Sequence, residues 1–414
     1  MRKQRNMHQR TSSAPRTSTQ VTHHAIPYGQ CAQGSAVREQ GSVQGSAVHE
    51  QGSAQGSAVS SHADDVAPTA LRGDTEDSFE SEDIKDMGEK LVAFDIGESQ
   101  VKLVYYDGKQ AKRAVCAPLP DNLVLNGEII SMDAMADFLR SVARQNSIPR
   151  TSCAVILPDS LVFTRNVDVP AMTDAQLAYN LPYEFKDYLR QEKSDYYFDY
   201  AVYDQVSDET GKMVELKLFA CATLKKTIEE YRAMFRRAGF RLKVAIPEEV
   251  AYSAIMRTHT DYSGDTCFVD IGYSSTRMQF LRGDVFSTRR TINFGMRDLI
   301  ASIADECNVD AHMAYEYLRS NYEGVVSAPA SIAIYRNMAV EIMKAINFYN
   351  YNNREQMLSR IYLCGGGAAI APLRDAIAET TNLEIRSASE LLPMQTQIAE
   401  PLLFVKALGC ATSE

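Results

Sequence analysis

The sequence lacks several features that mark common classes of protein. No apolar run approaches the roughly 18 residues that a helix needs to cross a bilayer, and the N-terminus has no continuous hydrophobic segment of the signal-peptide type. The cysteines form no C-x-x-C pair, and of the 7 histidines only His259 and His312 lie beyond residue 90. These absences argue against a disulfide framework, a Cys/His metal site and histidine general-base catalysis. We expect a cytoplasmic protein with free thiols.

The chain also has fewer basic than acidic side chains. The chain has 43 Lys and Arg against 53 Asp and Glu, which gives a net charge of −10. This balance argues against general attraction to nucleic acid or to an anionic membrane surface, so we expect no nucleic-acid partner. With 414 residues, 45% of them hydrophobic, the chain has enough material for a sizeable core in two or three domains.

The first 90 residues lack the apolar and aromatic side chains that a core needs. Tyr28 is the one aromatic residue before Phe79. An imperfect 11-residue repeat runs from Gln33 to Ser60, but its two glycines per repeat make a right-handed coiled coil costly. We therefore predict a disordered, low-complexity tail over residues 1–90. A transit peptide in the basic first twenty residues and a partner-binding role for the acidic residues 74–90 stay open as alternatives.

From Leu91 onward the hydrophobic pattern predicts alternating strands and helices, which is typical of a mixed α/β protein. Residues 160–246 predict the order strand, helix, strand, strand, helix, strand, and hence a compact βαββαβ subdomain. Residues 298–358 are predicted to be mainly helical. After them, IYLCGGGAAIAPLRDAIAETT predicts a strand, a glycine loop and a helix.

One hairpin motif occurs twice, at an offset of 175 residues, because AFDIGESQVKLVYYDGK aligns with FVDIGYSSTRMQFLRGD. The alignment pairs Asp95 with Asp270, Gly97 with Gly272, Ser99 with Ser274, Lys102 with Arg277, and Gly108 with Gly283. Each copy predicts a strand that ends in Asp, a glycine turn that carries a hydroxyl, and a returning strand. Two copies in register indicate a duplicated lobe. Two ordinary turns that use Asp and Gly are the simpler alternative.

The residue types of the motif suit phosphate and a cation. Glycine lets the backbone approach a phosphate, and successive N–H groups with Ser or Thr hydroxyls form an anion-binding concavity. Two carboxylates at strand ends that face one cleft, Asp95 and Asp270, would repel each other unless a cation lay between them. Mg²⁺ fits this description, bound largely through water. Further along, Gly365, Gly366 and Gly367 would let a flat ligand or a ribose lie against the backbone.

These motifs resemble the actin, sugar kinase and chaperone ATPase superfamily, with DIGESQVK and DIGYSSTR as its two phosphate loops and CGGGAA as its adenosine loop. Within it, the chain is most similar to the PilM family of type IV pilus assembly proteins, which are related to the cell-division protein FtsA. The similarity extends to VPAMTDAQLAYNLPYEFKDYL, to CATLKKTIEEYRAMFRRAGFRLKVAIPEEVAYSAI and to PLLFVKALGCA. It covers nearly everything from Leu91 to the C-terminus.

The resemblance implies an actin-like, ribonuclease H-like duplicated fold with two lobes, an inserted subdomain and a bound Mg·ATP. It divides the chain into lobe I (91–159), its inserted subdomain (160–246), the end of lobe I and start of lobe II (247–300), a helical subdomain (301–360) and the end of lobe II (361–414). It assigns nucleotide contacts to the following residues: Asp95, Gly97, Ser99, Lys102, Asp270, Gly272, Ser274, Ser275, Thr276, Glu341, Lys344, Gly365, Gly366 and Gly367. Asp95 and Asp270 would hold the magnesium.

Some of these assignments have simpler alternatives. Glu248 resembles the superfamily Glu that positions a water at the lobe junction, but capping the following helix would be a simpler role for it. Glu341 and Lys344 resemble a pair near the purine and ribose, and an exposed helical charge pair would look the same. Gly295 matches one glycine of a usual pair, and Met296 replaces the other, which puts a phosphate contact there in doubt.

The resemblance implies a cytoplasmic scaffold, recruited to the inner face of the cell membrane, that binds ATP and hydrolyses it slowly or not at all. Its partner would be the cytoplasmic tail of a PilN-type inner-membrane protein, with other platform proteins and self-association as further contacts. The tail would lie in a groove between lobe I and the insert, and the aromatic stretch Tyr196 to Tyr203 would line that groove or simply pack on its own subdomain.

Two rival functions stay open. A small-molecule or sugar kinase would need a carboxylate base facing a substrate pocket, and the sequence assigns none. An FtsA-like polymerising protein would normally end in an amphipathic membrane helix, and the terminal PLLFVKALGCATSE has no basic polar face. The sequence also leaves open whether the membrane assembly that this protein joins builds pili, secretes proteins or takes up DNA.

Overall fold

The computed structural model describes residues 90–258, 264–354, 357–392 and 398–413. The predicted disordered tail, with its repeat and the acidic segment, lies outside the described residues. The strands are β1 (Leu91–Ile96), β2 (Gln100–Tyr106), β3 (Ala111–Pro118), β4 (Val124–Leu125), β5 (Glu128–Ile129), β6 (Ser152–Leu157), β7 (Val162–Pro170), β8 (Tyr196–Ser207), β9 (Met213–Leu224), β10 (Arg241–Pro247), β11 (Asp265–Ile271), β12 (Thr276–Arg282), β13 (Val285–Ile292), β14 (Arg360–Cys364) and β15 (Glu384–Ser387). The helices are α1 (Met132–Gln145), α2 (Asp174–Glu184), α3 (Lys225–Ala238), α4 (Glu248–Arg257), α5 (Met296–Cys307), α6 (Ala311–Ser320), α7 (Pro329–Asn352), α8 (Ala371–Thr381) and α9 (Val405–Ala411).

Lobe I is built on a five-stranded sheet in the order β10-β6-β1-β2-β3. Strands β1, β2 and β3 form an antiparallel meander, whereas β6 and β10 run parallel to β1. Every residue of β6 is buried, as expected of an inner parallel strand covered on both faces. Helix α1 covers one face with Met135, Leu139 and Val142, and its first turn is capped by the Ser131 side chain.

Lobe II repeats this sheet. Its order β13-β12-β11-β14-β15 has the same pattern of three antiparallel strands followed by two parallel ones. The correspondence extends to single residues, because Asp95 lies opposite Lys102 in the first hairpin and Asp270 lies opposite Arg277 in the second. The predicted duplication is therefore present at the level of topology and register.

The predicted βαββαβ order is also observed, although its elements belong to two different sheets. Strands β7, β9 and β8 form a separate three-stranded sheet, and α2 packs on one face of it through Leu177 and Leu181, together with Phe185 just after the helix. Helix α3 instead packs in the core of lobe I through Tyr231 and Phe235, and β10 extends the lobe I sheet. Which strands pair when they lie far apart in the sequence is decided by tertiary contacts, and local hydrophobic periodicity does not predict these contacts.

Helices α4 and α9 connect the two lobes. Buried residues of α9, including Val405 and Leu408, pack with Val104 of β2 and with Phe268 of β11. The two helices approach closely at Gly409, where an added Cβ would overlap the carbonyl oxygen of Ala251. Within the described part of the chain, no helix has both the length and the apolar character to span a membrane.

Candidate functional site

The two glycine turns have the same geometry. In the first, the Gly97 N–H donates to the Gln100 carbonyl over 3.0 Å, and in the second the Gly272 N–H donates to the Ser275 carbonyl over the same distance. A Cβ would lie 3.1 Å from the Gln100 oxygen at Gly97, and 2.9 Å from the Ser275 oxygen at Gly272. The glycines are thus required by the tightness of the turns themselves. The side chains of Ser99, Ser274 and Ser275 stay partly exposed around them.

Three carboxylates from separate elements converge on one lysine. The Lys406 ammonium of α9 lies 3.5 Å from Asp95 Oδ1, 3.6 Å from Glu248 Oε2 and 3.0 Å from Asp270 Oδ2. All four side chains are buried. The structure therefore brings together both predicted metal-binding aspartates and the predicted Glu248, and it places a cation between them as the charge argument required. That cation is part of the protein.

Each carboxylate has a further polar partner. Lys102 Nζ lies 3.5 Å from the second oxygen of Asp95. The Tyr252 hydroxyl donates to Asp270 Oδ2 over 3.3 Å, and Gln279 Nε2 donates to Glu248 Oε1 over 2.8 Å. These contacts fix the orientation of the carboxylates. We name Asp95, Glu248, Asp270 and Lys406 the carboxylate cluster.

The pKa values reflect a balance between burial and the cations. Burial raises the pKa of Asp270, but Lys406 and Lys102 outweigh it and bring the pKa down to about 2. The pKa of Asp95 is lowered for the same reasons. Burial dominates at Glu248 and raises its pKa to about 7, although Lys406 and Arg277 oppose the change. The carboxylates also hold the pKa of Lys406 above its ordinary value. Lys406 is therefore charged at neutral pH, as are both aspartates.

The arrangement does not fit a resident magnesium ion at the point that the sequence predicts. Mg²⁺ needs carboxylate oxygens and several waters in octahedral geometry, whereas an ammonium already lies within 3.6 Å of all three carboxylates. Two cations at that spacing in a buried site would repel each other strongly. Among the described residues, no group of three or more His, Cys, Asp or Glu is arranged to hold a metal.

Glu248 begins α4, with its neighbour Glu249 also in the first turn. No side chain caps this helix, so Glu248 does not act as a capping acceptor, although its position in the first turn suits the helix dipole. Its two oxygens point into the cluster, one toward Gln279 and the other toward Lys406. Glu249 Oε1 instead accepts hydrogen bonds from Thr164 of the insert and from Arg289 of β13.

The glycine loop after β14 packs directly against the second hairpin. A Cβ at Gly365 would overlap Asp270 Oδ1, and Gly365 also has a positive φ of 82°. A Cβ at Gly367 would overlap Ile271 Cγ2. Gly366 differs, because a Cβ there would meet no atom within 4 Å. Two of the three glycines are thus required by packing, and Gly366 alone faces open space.

The start of α5 is joined to the second turn by backbone hydrogen bonds. The Met296 N–H donates to the Gly272 carbonyl over 3.0 Å, and the Arg297 N–H donates to the Tyr273 carbonyl over 2.8 Å. A Cβ at Gly295 would overlap the Tyr273 carbonyl oxygen, so this glycine serves packing. Thr276 is buried, and its hydroxyl donates to the Phe294 carbonyl over 2.9 Å. The Thr276 hydroxyl is therefore engaged within the protein.

Glu341 and Lys344 lie on the exposed face of α7. Lys344 Nζ lies 2.7 Å from Glu341 Oε1, and both side chains are largely exposed. The buried face of the same helix carries Tyr335 and Ile342 into the lobe II core. The geometry is that of an i,i+3 helical ion pair, as the simpler alternative expects.

Lys406, Tyr252 and Gln279 are members of the site that the sequence motifs did not predict. Lys406 did carry a signal, because it is a lone charged residue within the apolar stretch PLLFVKALGC. A charged residue on a buried helix needs a partner of opposite charge, and the three carboxylates provide it. Tyr252 and Gln279 lie within ordinary helix and strand patterns that give no such indication.

The fold is shared with solved structures of low sequence identity. One is described as a PilM-PilN type IV pilus biogenesis complex; it is 20% identical, with 78% of this chain and 97% of that chain covered and a TM-score of 0.65. Another is the ethanolamine utilization protein EutJ from Carboxydothermus hydrogenoformans, at 15% identity, 78% and 89% coverage and a TM-score of 0.51. No curated protein sequence matches the chain. These likenesses confirm the predicted two-lobed actin-like fold.

The sequence model of one protein family matches most of the folded part of the chain. That family is described as the type IV pilus assembly protein PilM, and the match covers residues 93–408. The matched range runs from β1 to α9 and so contains both hairpins, the glycine loop and the carboxylate cluster. The chain therefore belongs to the PilM family of type IV pilus assembly proteins.

Proposed function

We propose that this protein is an ATP-binding scaffold of a type IV pilus assembly platform, and that the bound nucleotide sets its affinity for the cytoplasmic tail of a PilN-type inner-membrane protein. The observation that carries the proposal is the convergence of two equivalent hairpins, which bring Asp95 and Asp270 to one buried cation at the lobe junction. The solved PilM-PilN complex of similar fold supports the choice of partner.

The phosphates would lie at the tips of the two glycine turns. Gly97 and Gly272 use their own N–H groups inside the turns, so the N–H groups of the next residues and the hydroxyls of Ser99, Ser274 and Ser275 remain for a ligand. Lys102, with its ammonium beside Asp95, supplies positive charge at the first turn. The nucleoside would lie against Gly366, where the backbone borders open space.

The contacts of Glu248 support slow or absent hydrolysis. A residue that orients a water for attack on a phosphate needs a free acceptor oxygen. Both oxygens of Glu248 already have partners, Gln279 at 2.8 Å and Lys406 at 3.6 Å. The same contacts argue against the kinase alternative, because they leave Glu248 unsuited to act as a base toward a substrate hydroxyl. We infer a binding role for this site.

A short chain of contacts links the site to the inserted subdomain. Glu248 and Glu249 are successive residues in the first turn of α4. Thr164 Oγ1 of the insert donates to Glu249 Oε1 over 3.0 Å, and Arg289 of lobe II contacts the same oxygen at 2.7 Å. A movement of α4 on nucleotide binding would therefore change how the insert rests on lobe II. This link is the proposed basis of nucleotide sensitivity.

We place the docking groove at the seam between lobe I and the insert. Along β8, Phe198 and Tyr200 turn toward the core under α2, so part of the aromatic stretch packs on its own subdomain. Tyr197 and Tyr203 turn the other way, toward the lobe I core, and both stay partly exposed. These two rings are positioned to contact an extended peptide. Recruitment to the inner face of the membrane would follow from binding the tail, and contacts with other platform proteins or a second copy are further parts of the proposal.

The test is a binding measurement with a synthetic peptide of a PilN-type cytoplasmic tail, titrated with and without saturating ATP. We expect specific binding whose affinity differs between the two conditions by at least about fivefold, a coupling of roughly 1 kcal/mol. A protein that binds ATP but consumes it only in the presence of a metabolite, and retains no tail, would support the kinase alternative instead.

A further inference from the structure

We propose that Lys406 is a built-in counter-ion, and that this protein binds nucleotide phosphate through the Lys406 ammonium without requiring a divalent cation. The inference rests on the proposed function only in assuming that nucleotide binds in this cleft. It adds a phosphate-binding residue, Lys406, and an independence of divalent cations, neither of which the motifs predicted.

The ammonium of Lys406 lies between aspartates of the two lobes. It lies 3.5 Å from Asp95 of lobe I and 3.0 Å from Asp270 of lobe II, and Glu248 closes the third side at 3.6 Å. A metal ion would have to contact these same aspartates to bridge the lobes. The ammonium therefore already meets the electrostatic need that made magnesium the predicted ion.

Lys406 is held firmly in place by a buried helix. It lies on α9, whose residues Val405 to Ala411 are all buried. The helix is fixed against α4 at Gly409, where the backbones are in close contact with Ala251. The side chain of Lys406 is 10% exposed. A lysine in this setting has little room to swing aside for a hydrated metal ion, which is bulky because magnesium keeps several waters.

The charges of the carboxylate cluster are already balanced by basic groups of the protein. The cluster contains three carboxylates, and three basic groups contact them: Lys406, Lys102 beside Asp95, and Arg277 at 3.9 Å from Glu248. Because three basic groups face three carboxylates, the site carries no negative excess to attract a divalent ion. An ATP phosphate would bring negative charge to Lys406 and Lys102, and each ammonium has donors to share between a carboxylate and a phosphate.

The experiment measures ATP affinity by calorimetry on the full chain, once with excess EDTA and once with excess Mg²⁺. For the wild-type protein we expect the two dissociation constants to agree within about threefold. For Lys406→Met, which keeps the length of the side chain but not its charge, we expect binding in EDTA to weaken by at least about tenfold, with recovery when Mg²⁺ is added. For Lys406→Arg, which keeps the positive charge, we expect an ATP affinity in EDTA that is closer to the wild-type value than that of Lys406→Met.

The matched control is Lys226→Met, at an 83% exposed side chain on α3, which should behave as the wild type in both conditions. If Lys406→Met fails to fold because three carboxylates are left facing one another, the double variant Lys406→Met with Glu248→Gln removes one of the carboxylates, keeps both aspartates for recovery by Mg²⁺, and takes its place. Wild-type binding that requires Mg²⁺ would overturn this inference and leave the proposed function standing. Absence of ATP binding in both conditions would overturn both.

Discussion

The ammonium of Lys406 lies 3.0 Å from the carboxylate of Asp270, and this ion pair joins helix α9 to the second glycine hairpin. Helix α9 packs against β1, the strand that carries the first hairpin. One buried ion pair therefore connects elements of both lobes at the point where the two hairpins meet. Breaking a buried pair by removing one partner typically costs about 3–5 kcal/mol, so this contact constrains how far the lobes can separate.

The glycine loop provides a test that separates ligand contact from packing. Replacing Gly366 by Val should leave the free energy of unfolding within about 1 kcal/mol of the wild type, because a Cβ at this position meets no atom within 4 Å. The same change should weaken ATP binding by at least about tenfold, since it fills the space assigned to the nucleoside. Calorimetry and urea unfolding measure the two effects.

Gly367→Ala is the matched control for that variant. Its added Cβ would overlap Ile271 Cγ2 in the core, so we expect a loss of about 1–3 kcal/mol in the free energy of unfolding. Gly366→Val binding ATP as well as the wild type would show that the open space beside Gly366 is not the nucleoside site.

Thr164 tests the link between the cleft and the insert. Thr164→Val removes the hydroxyl that donates to Glu249 Oε1 but keeps the shape of the side chain. We expect stability to fall by about 1 kcal/mol and ATP affinity to stay unchanged, while tail affinity loses most of its response to ATP. Thr210→Val, at an exposed loop threonine of the same subdomain, is the control. An unchanged response in Thr164→Val would mean that coupling follows another route.

The raised pKa of Glu248 predicts a specific dependence of stability on pH. The folded protein keeps this proton up to about pH 7, whereas the unfolded chain loses it near the ordinary pKa of 4.5. Between these values the folded state binds more protons, so the contribution of Glu248 to stability falls as the pH rises from about 4.5 to 7 and is constant above that. Glu248→Gln should flatten this part of the curve, measured by urea unfolding at a series of pH values. A variant with the same slope as the wild type would contradict the assignment.

The docking groove is tested by its two aromatic side chains. Tyr197→Ser and Tyr203→Ser remove rings that stay partly exposed at the seam between lobe I and the insert, and each should weaken tail binding by roughly 1–2 kcal/mol. Tyr351→Ser, on the far helix α7 with 67% of its surface exposed, should leave tail affinity unchanged. Equal effects at all three positions would point to general destabilisation, which circular dichroism would reveal.

Local patterns predicted the hairpins well because their signals lie within a few residues of one another. The DIG turns, the alternation of β2 and β12 and the pairing of Asp95 with Asp270 were all present in the repeat. The role of Lys406 was not predictable in this way, since it comes from a helix more than a hundred residues beyond the second hairpin. For the same reason local patterns predicted the order of elements in the insert but did not indicate that β10 joins the lobe I sheet. Which glycines face a ligand also depended on packing, because all three in the loop look alike in sequence.

Under the proposed function, nucleotide in the cleft controls binding of the PilN-type tail. The most direct measurement is the affinity of the wild-type protein for the tail peptide, determined with and without ATP and repeated with Gly366→Val. We expect an affinity that changes by at least about fivefold with ATP in the wild type and does not change in the variant. Tail binding of equal strength in the presence and absence of ATP, by a wild-type protein shown to bind ATP, would contradict it.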